Sequence, residues 1–249
     1  MIKKDLQKYE SLLNYNLFQI ELDYLQNLIL KLLYEKYDTL YFKGGTCLQK
    51  CYGIKRFSED LDFNYKNIDL NKLFSYLKNY FPYEFEIKKH NKTKFGDNFS
   101  LQIKGPLHMG SKQSTCKLLF DFRLNDTYKK PNLASITPPY KNIEKYDVLT
   151  LDEEEILAEK IRAIITRLKA RDVFDLNELL LNKIKIDFKL INKKLSYYDK
   201  QFNMEEFEEK LEEKRKIYGV EMKRLTDIYQ DFDTCKKRIL KDVKKAFKN

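Results

Sequence analysis

Two aspartates separated by a single residue, Asp60 and Asp62, are the residues of this sequence best suited to chemistry. On a β-strand, alternate side chains share a face, so both carboxylates would point the same way. Hard divalent cations such as Mg²⁺ prefer oxygen ligands, and proteins often hold them with one or two carboxylates together with substrate phosphates. The pair therefore predicts a site for a divalent metal ion and a phosphorylated substrate.

A glycine pair lies about one helix length before the aspartates. The apolar stretch 40–42 is a short strand candidate, and Gly44 and Gly45 permit a tight turn with exposed backbone N–H groups before Thr46 opens a helix. These amides and the Thr46 hydroxyl could hold a triphosphate. An Asp-x-Asp motif alone is weak, but its combination with the Gly-Gly-Thr turn resembles the polymerase-beta-like nucleotidyltransferase pattern.

Asp121 and Lys160 could complete such a site. Asp121 lies on the polar side of a strand candidate at 116–124, where it could be a third carboxylate that serves a second metal ion about 4 Å from the first. This requires Asp121 to face Asp60 and Asp62 across neighbouring strands; an ordinary solvent-facing strand is an equally good interpretation. Lys160, on a helix candidate, could supply positive charge to the triphosphate, although a solvated basic helix side is the default interpretation.

Three blocks of residues resemble the AbiEii/AbiGii toxin family. They are FKGGT at 42–46, RFSEDLDF at 56–63, and LAEKIRA at 157–163 followed by RDVFDL at 171–176, within a stretch of roughly 38–182. The resemblance implies a bacterial toxin of a toxin–antitoxin or abortive-infection system with a nucleotidyltransferase fold. Some members of the family transfer nucleotides from an NTP to the 3′ acceptor end of tRNA, which blocks translation.

The resemblance also assigns roles to individual positions. Asp60 and Asp62 match the metal-binding pair, Lys160 matches the essential lysine, and Asp172 matches the later acidic motif, with Asp175 close behind. The residues assigned to the nucleotide are Gly44, Gly45, Thr46, Arg56, Ser58 and Lys160. Asp121 fits the strand position of a third metal ligand, but its surrounding sequence is less distinctive.

Composition excludes some other classes of protein. The 249 residues are 43% hydrophobic and carry a formal net charge of +10, with a sequence pI near 9.1. The four cysteines form no C-x-x-C pair and there are two histidines, which argues against a zinc site or a hydrolytic triad. No apolar run approaches the ~20 residues of a membrane span, and the first residues lack the apolar middle of a signal peptide. A cytoplasmic location without membrane contact is therefore expected.

Hydrophobic periodicity and turn residues predict the elements that must position these side chains. We expect helices at 14–37, 70–80 and 152–169, strands at 83–89, 99–104 and 116–124, a loop at 128–148, and helical segments at 187–198, 205–218, 221–232 and 234–247. A capping box at 150–153 would start the helix that carries Lys160. The predicted fold is α+β: a polymerase-beta-like nucleotidyltransferase core with a mixed sheet at 1–148, followed by a C-terminal helical domain at 149–249.

These observations predict a toxin that is a metal-dependent nucleotidyltransferase, using Mg²⁺ or Mn²⁺ and an NTP to modify RNA, with tRNA as the expected acceptor and a cognate antitoxin as partner. One alternative keeps the nucleotidyltransferase or a kinase-like activity but modifies a protein hydroxyl or a small molecule. Another is a non-catalytic nucleic-acid-binding module. The lysine-rich end at 236–248 fits phosphate-backbone binding or a solvated terminal helix.

Overall fold

The computed structural model describes residues 1–93 and 95–248, which form two compact units. The sheet unit consists of Met1–Cys51, Ser58–Asp126 and Pro131–Thr150. The helical unit consists of Tyr52–Phe57, Thr127–Lys130 and Leu151–Asn249. Two short segments that precede residue 148 thus belong to the helical unit, which is not one continuous stretch of the chain.

The sheet unit contains a seven-stranded mixed sheet and the N-terminal helices. Its elements in chain order are α1 (Lys3–Gln7), α2 (Glu10–Leu13), α3 (Leu17–Lys36), β1 (Leu40–Lys43), α4 (Gly44–Cys51), β2 (Leu61–Tyr65), α5 (Leu70–Tyr80), β3 (Phe85–Thr93), β4 (Gly96–Ile103), β5 (Cys116–Leu124), β6 (Asn132–Ile136) and β7 (Tyr146–Thr150), with a 3-10 turn at Lys112–Ser114. The strand order is β3-β4-β5-β2-β1-β7-β6. β2 pairs with β5 and β1 pairs with β7 in parallel, whereas the other neighbours are antiparallel. The predicted mixed sheet is confirmed.

Aromatic side chains hold the middle of this sheet together. The ring centroids of Phe42 and Phe63 are 5.4 Å apart, and those of Phe63 and Phe122 are 5.1 Å apart, which places one ring from each of β1, β2 and β5 in a continuous layer. All three side chains are buried. Burying a Phe side chain contributes about 1.5–3 kcal/mol, so this layer fixes the three strands that carry the candidate site.

The predicted loop at 128–148 is wrong, because it contains β6 and most of β7. β6 is an edge strand whose side chains are largely exposed, and prolines lie just before it at 131 and after it at 138–139. Proline and polar residues are turn signals, and an exposed edge strand lacks the buried alternation that would outweigh them. A hydrogen bond connects β7 to α3: the Tyr146 hydroxyl donates to Asn27 Oδ1 at 2.9 Å.

The helical unit contains the remaining helices: α6 (Glu153–Thr166), α7 (Arg171–Leu181), α8 (Phe188–Ser196), α9 (Met204–Glu212), α10 (Arg215–Leu225) and α11 (Phe232–Phe247). α6 begins after Asp152, whose carboxylate accepts from the Glu154 amide at 3.0 Å. Thr150 belongs to β7, so the predicted capping box at 150–153 is wrong and Asp152 alone is the cap. The predicted helix at 221–232 is also misplaced, since α10 covers Arg215–Leu225 and has Gly219 in its interior.

Among the residues that the structure describes, no helix combines the length and apolar character needed to cross a membrane.

Candidate active site

Two candidate carboxylates lie side by side on neighbouring parallel strands. The register of β2 and β5 places Asp62 next to Asp121, and Asp60 lies just before the first residue of β2. Asp121 Oδ2 accepts from Arg123 Nε at 3.2 Å, whereas Asp121 Oδ1 is buried with no hydrogen-bond partner. An unpaired buried carboxylate oxygen is costly. A bound cation at this position would remove that cost.

Gly44 brings the start of α4 against the Asp62 carboxylate. Its φ of +74° is in the left-handed region that favours glycine, and a Cβ built there would lie 1.9 Å from Asp62 Oδ2. Any other residue would therefore have to displace the carboxylate as well as adopt a strained backbone. The first N–H groups of a helix have no intrahelical partners and carry partial positive charge, so this close approach places them beside an anionic group.

Side chains from two helices hold the backbone that leads into β2. Thr46 is fully buried on α4, and its hydroxyl donates to the Asp60 carbonyl. Gln26 on α3 donates through Nε2 to the carbonyls of Ser58 at 3.0 Å and Glu59 at 3.1 Å. Carbonyls of three successive residues are thus fixed before the first strand residue. The structure gives Thr46 a positioning contact, and its expected contact with nucleotide phosphates stays a prediction.

Lys160 lies in the helical unit, where two carboxylates surround its ammonium group. Lys160 Nζ is 2.6 Å from Asp175 Oδ2 and 3.2 Å from Asp172 Oδ1. The Lys160 side chain is 6% exposed and both aspartate side chains are 0% exposed. The default interpretation of a solvated basic helix side is therefore wrong for Lys160, because both of its partners are buried on α7.

Two arginines pair with the same aspartates; the Arg56 side chain is buried, whereas the Arg167 side chain is 45% exposed. Arg56 donates from Nε and Nη2 to the two carboxylate oxygens of Asp175, at 2.6 and 2.7 Å. Arg167 donates from Nε and Nη2 to Asp172, at 2.8 and 2.9 Å. Such bidentate pairs are the strongest geometry available to arginine. We call Arg56, Lys160, Arg167, Asp172 and Asp175 the ion-pair network.

The positive partners keep both carboxylates of the ion-pair network ionised. Burial by itself would raise the pKa of the Asp172 carboxyl, but the charges of Lys160 and Arg167 outweigh burial and hold the pKa well below its usual value. Burial likewise opposes ionisation of Asp175, and the charges of Arg56 and Lys160 hold its pKa low. Neither carboxyl has the raised pKa that suits a general acid near neutral pH.

Arg56 does not have the environment expected for a nucleotide-binding residue. Its side chain is 1% exposed and its guanidinium is occupied by Asp175 and by the Phe57 carbonyl, 3.0 Å from Nη1. Ser58 is also buried, with its carbonyl held by Gln26. In this structure, both residues of the second block have positioning contacts.

Sequence reasoning missed two residues of these arrangements. Gln26 is a polar residue on the buried side of α3, and that position is the one local signal of its role. Arg167 lies just after the end of α6. Its pairing with Asp172 depends on the turn between α6 and α7, which periodicity does not describe.

A divalent metal ion fits the carboxylate pair only if other ligands are added. Within residues 1–93 and 95–248, no three His, Cys, Asp or Glu side chains are grouped so that they could hold a metal ion. Asp62 and Asp121 offer carboxylate oxygens, one of them orphaned. This donor set suits Mg²⁺ or Mn²⁺, which commonly take one or two carboxylates and complete their coordination with water and substrate phosphates.

The sequence model of the family described as "Nucleotidyl transferase AbiEii toxin, Type IV TA system" matches residues 31–248, which is most of the chain. The chain belongs to the AbiEii nucleotidyltransferase toxin family. It is thus a nucleotidyltransferase toxin of a type IV toxin–antitoxin system. The blocks around Gly44, Asp60 and Lys160 predict a nucleotidyltransferase toxin without specifying the type. No curated protein matches this AbiEii chain.

Solved structures with the same fold include MenT4, a nucleotidyltransferase toxin from Mycobacterium tuberculosis H37Rv. It aligns with a TM-score of 0.67 and 18% sequence identity over 97% of this chain and 88% of MenT4. JHP933 from Helicobacter pylori aligns with a TM-score of 0.58 and 21% identity over 92% of each chain. At these identities the likeness establishes the fold, and the predicted α+β nucleotidyltransferase architecture is confirmed.

Proposed function

We propose that this AbiEii toxin is a metal-dependent enzyme that transfers a nucleotide from an NTP to RNA, with the 3′ acceptor end of tRNA as the target. The observation that carries the proposal is the pairing of Asp62 with Asp121 on adjacent parallel strands, beside the start of α4. This arrangement combines carboxylates for a cation with backbone N–H groups for phosphate oxygens.

Asp62 and Asp121 would hold the ion, with Asp60 as the third candidate ligand. Mg²⁺ or Mn²⁺, when bound, supplies positive charge to the phosphoryl group under attack and to the departing pyrophosphate. Gly44 and Gly45 start α4 without a Cβ in the way, so its first N–H groups can orient the triphosphate. Gln26 and Thr46 keep the backbone before Asp62 in place through the carbonyls that they bind.

Lys160 and Asp172 have positioning contacts in this structure, and we propose that the ion-pair network orders the segment that precedes the aspartates. Arg56, which is held by Asp175, lies four residues before Asp60 in the sequence. A direct contact of Lys160 with the triphosphate stays a prediction from the family resemblance. The two carboxylates occupy two of the three N–H donors of its ammonium group, which leaves one for a phosphate oxygen.

The RNA acceptor is supported by the charge of the protein. A net charge of +10 favours a polyanionic partner over a neutral small molecule. The type IV toxin–antitoxin family implies an antitoxin as a second partner. A cytoplasmic location is part of the proposal, because tRNA and NTPs are found there. A protein hydroxyl as acceptor remains the second candidate.

The test is incubation of the purified protein with total RNA and each of the four α-labelled NTPs, with Mg²⁺ or Mn²⁺. We expect label at the 3′ end of tRNA with at least one NTP. Asp121→Asn should reduce transfer by at least about a hundredfold, because it removes a carboxylate from the proposed metal site, and it should also abolish thermal stabilisation by Mn²⁺. The control is Asp38→Asn, an exposed carboxylate of the same unit.

Label on protein instead of RNA would contradict RNA as the acceptor and would favour a protein hydroxyl. Full activity of Asp121→Asn would exclude Asp121 from the metal site. The absence of any labelled product with all four NTPs would contradict the proposed reaction.

A further inference from the structure

The lysines of the C-terminal helix fall into two groups with different surroundings. Lys236 pairs with Glu212 at 2.6 Å, and Lys244 pairs with Glu208 at 2.8 Å. Arg238 donates from Nη1 to Asn177 Oδ1 at 2.7 Å and to Gln230 Oε1 at 2.9 Å. These three residues are used within the helical unit and support its packing.

A second group has no such use. Lys237, Lys241, Lys245 and Lys248 are exposed, and within the part of the chain that the structure describes none of them forms an ion pair. Three of them follow each other at i, i+4 spacing, where like charges destabilise a helix by a few tenths of a kcal/mol per pair. The repulsion is relieved when an anionic partner lies along the row.

The row formed by Lys237, Lys241, Lys245 and Lys248 is long enough to contact several phosphates. At about 1.5 Å per residue, the eleven steps from Lys237 to Lys248 cover about 16 Å of helix axis. For scale, each strand of duplex DNA carries one phosphate per about 3.4 Å of axis. The row therefore spans about five phosphates of one strand.

A cleft continues the positive row onto the end of α7. It has a volume of about 350 Å³ and is lined by Lys183, Lys185 and Lys245, with Leu180 and Ile186 as apolar walls and Asp242 as the one acidic residue. Lys183 and Lys185 are exposed and lack ion pairs among the described residues. Three lysines against one aspartate favour an anion in this cleft.

An exposed aromatic ring, that of Phe247, lies at the end of α11 beside Lys248 in the sequence. Phe247 is 51% exposed, and its ring lies 5.1 Å from that of Phe188 and 5.5 Å from that of Phe202, measured between centroids. Those contacts fix its position while leaving part of the ring free. A supported aromatic ring among lysines is a common arrangement for stacking an unpaired base.

We propose that Lys183, Lys185, Lys237, Lys241, Lys245 and Lys248, here called the lysine face, bind the sugar–phosphate backbone of the acceptor RNA. This inference rests on the proposed function, since it names the surface that holds the RNA while its end is modified. The regular i, i+4 spacing of Lys237, Lys241 and Lys245 matches the repeating charges of a phosphate backbone.

The experiment uses the full chain and fluorescein-labelled tRNA, with anisotropy titrations at several salt concentrations. The variant replaces three lysines of the row: Lys237→Gln, Lys241→Gln and Lys245→Gln. We expect at least about tenfold weaker binding and a salt slope reduced in magnitude by about 2–3, because each lost phosphate contact removes about 0.7–0.9 from the slope. The same three positions changed to Arg should restore binding.

A second triple variant controls for net charge. Lys112→Gln, Lys141→Gln and Lys145→Gln remove the same charge from exposed positions of the sheet unit. This control should change affinity by less than about threefold. Equal losses in both triple variants would show that net charge alone governs binding and would overturn the lysine face.

Transfer kinetics separate this inference from the proposed function. If the wild type labels tRNA, the row variant should raise KM for tRNA about tenfold and leave kcat unchanged, whereas unchanged KM and unchanged binding would overturn the lysine face alone. If the wild type labels no RNA, the proposed function fails while the binding titrations still test the surface.

Discussion

The ion-pair network makes a quantitative prediction for Asp175→Asn. The Asp175 carboxylate receives two hydrogen bonds from Arg56, at 2.6 and 2.7 Å, and contacts the Lys160 ammonium at 2.6 Å. An Asn side chain keeps one acceptor oxygen and loses the charge, so at least one charge-assisted bond, worth about 1.5–3 kcal/mol, disappears. The substitution also removes the negative charge that balances the buried Arg56 and Lys160 cations. The expected loss of unfolding free energy is therefore about 3–5 kcal/mol.

Urea titration followed by far-UV circular dichroism measures this loss, since the chain contains no Trp for fluorescence. A melting temperature about 10 °C lower should accompany it. The control is Asp199→Asn, an exposed position with a φ of 52°, where Asn is well tolerated and a change below about 0.5 kcal/mol is expected. A loss below about 1 kcal/mol for Asp175→Asn would refute the stabilising role of the network.

The pH dependence of the same variant checks the sign of the electrostatic argument. The pKa of Asp175 is lowered in the folded protein from its ordinary value of 3.8. A carboxyl with a lowered folded-state pKa contributes stability that is fully present above the unfolded-state pKa and is lost as pH falls through the folded-state pKa. The difference between wild type and Asp175→Asn should be constant from pH 8 to about pH 5 and shrink below about pH 4. A difference that grows on acidification would contradict this mechanism.

Two further predictions concern the backbone beside the candidate metal site. Gly44→Ala should abolish nucleotide transfer, because its Cβ would occupy the place of the Asp62 carboxylate. Gly53→Ala, at a φ of 69° with nothing within 4 Å of the added Cβ, carries the same backbone strain without the clash and should retain activity. Gln26→Leu removes both hydrogen bonds to the carbonyls before Asp60; we expect a loss of about 1–3 kcal/mol in unfolding free energy and slower transfer, measured by urea titration and single-turnover kinetics. Activity in Gly44→Ala, or an unchanged rate in Gln26→Leu, would contradict these roles.

The parts of the site that are local in sequence could be predicted. Gly44 and the aspartates at 60 and 62 are linked by a turn, a helix and a strand, and each of these follows from residue type and spacing. The position of Asp121 beside Asp62 depends on the parallel pairing of β2 with β5, whose strands are separated by two other strands in the sequence. From the sequence it follows only that a third ligand at Asp121 must face the two aspartates. The register of β2 and β5 places Asp121 beside Asp62.

The parts that depend on burial by distant segments could not be predicted. Periodicity favours a solvated helix side as the default for Lys160, because periodicity reports which residues share a face and does not report what covers that face. Arg56 was assigned to the nucleotide by its block, whereas its partner Asp175 lies far along the chain. For β6, exposed side chains and flanking prolines made an edge strand resemble a loop.

The segment Thr127–Lys130 limits how this protein can be divided into fragments. The backbone amides of Tyr128 and Lys129 donate to the Glu155 carboxylate at 3.0–3.2 Å, and the Lys194 ammonium lies 2.8 Å from the same group. A recombinant piece that begins at Leu151 would lack these amides as well as the guanidinium that pairs with Asp175. Glu155 would then keep only its lysine partner, and Asp175 would keep Lys160 but lose the two hydrogen bonds from Arg56. A fragment that begins at Leu151 is therefore not the intact helical unit. Split-protein designs must supply Tyr52–Phe57 and Thr127–Lys130 as separate pieces.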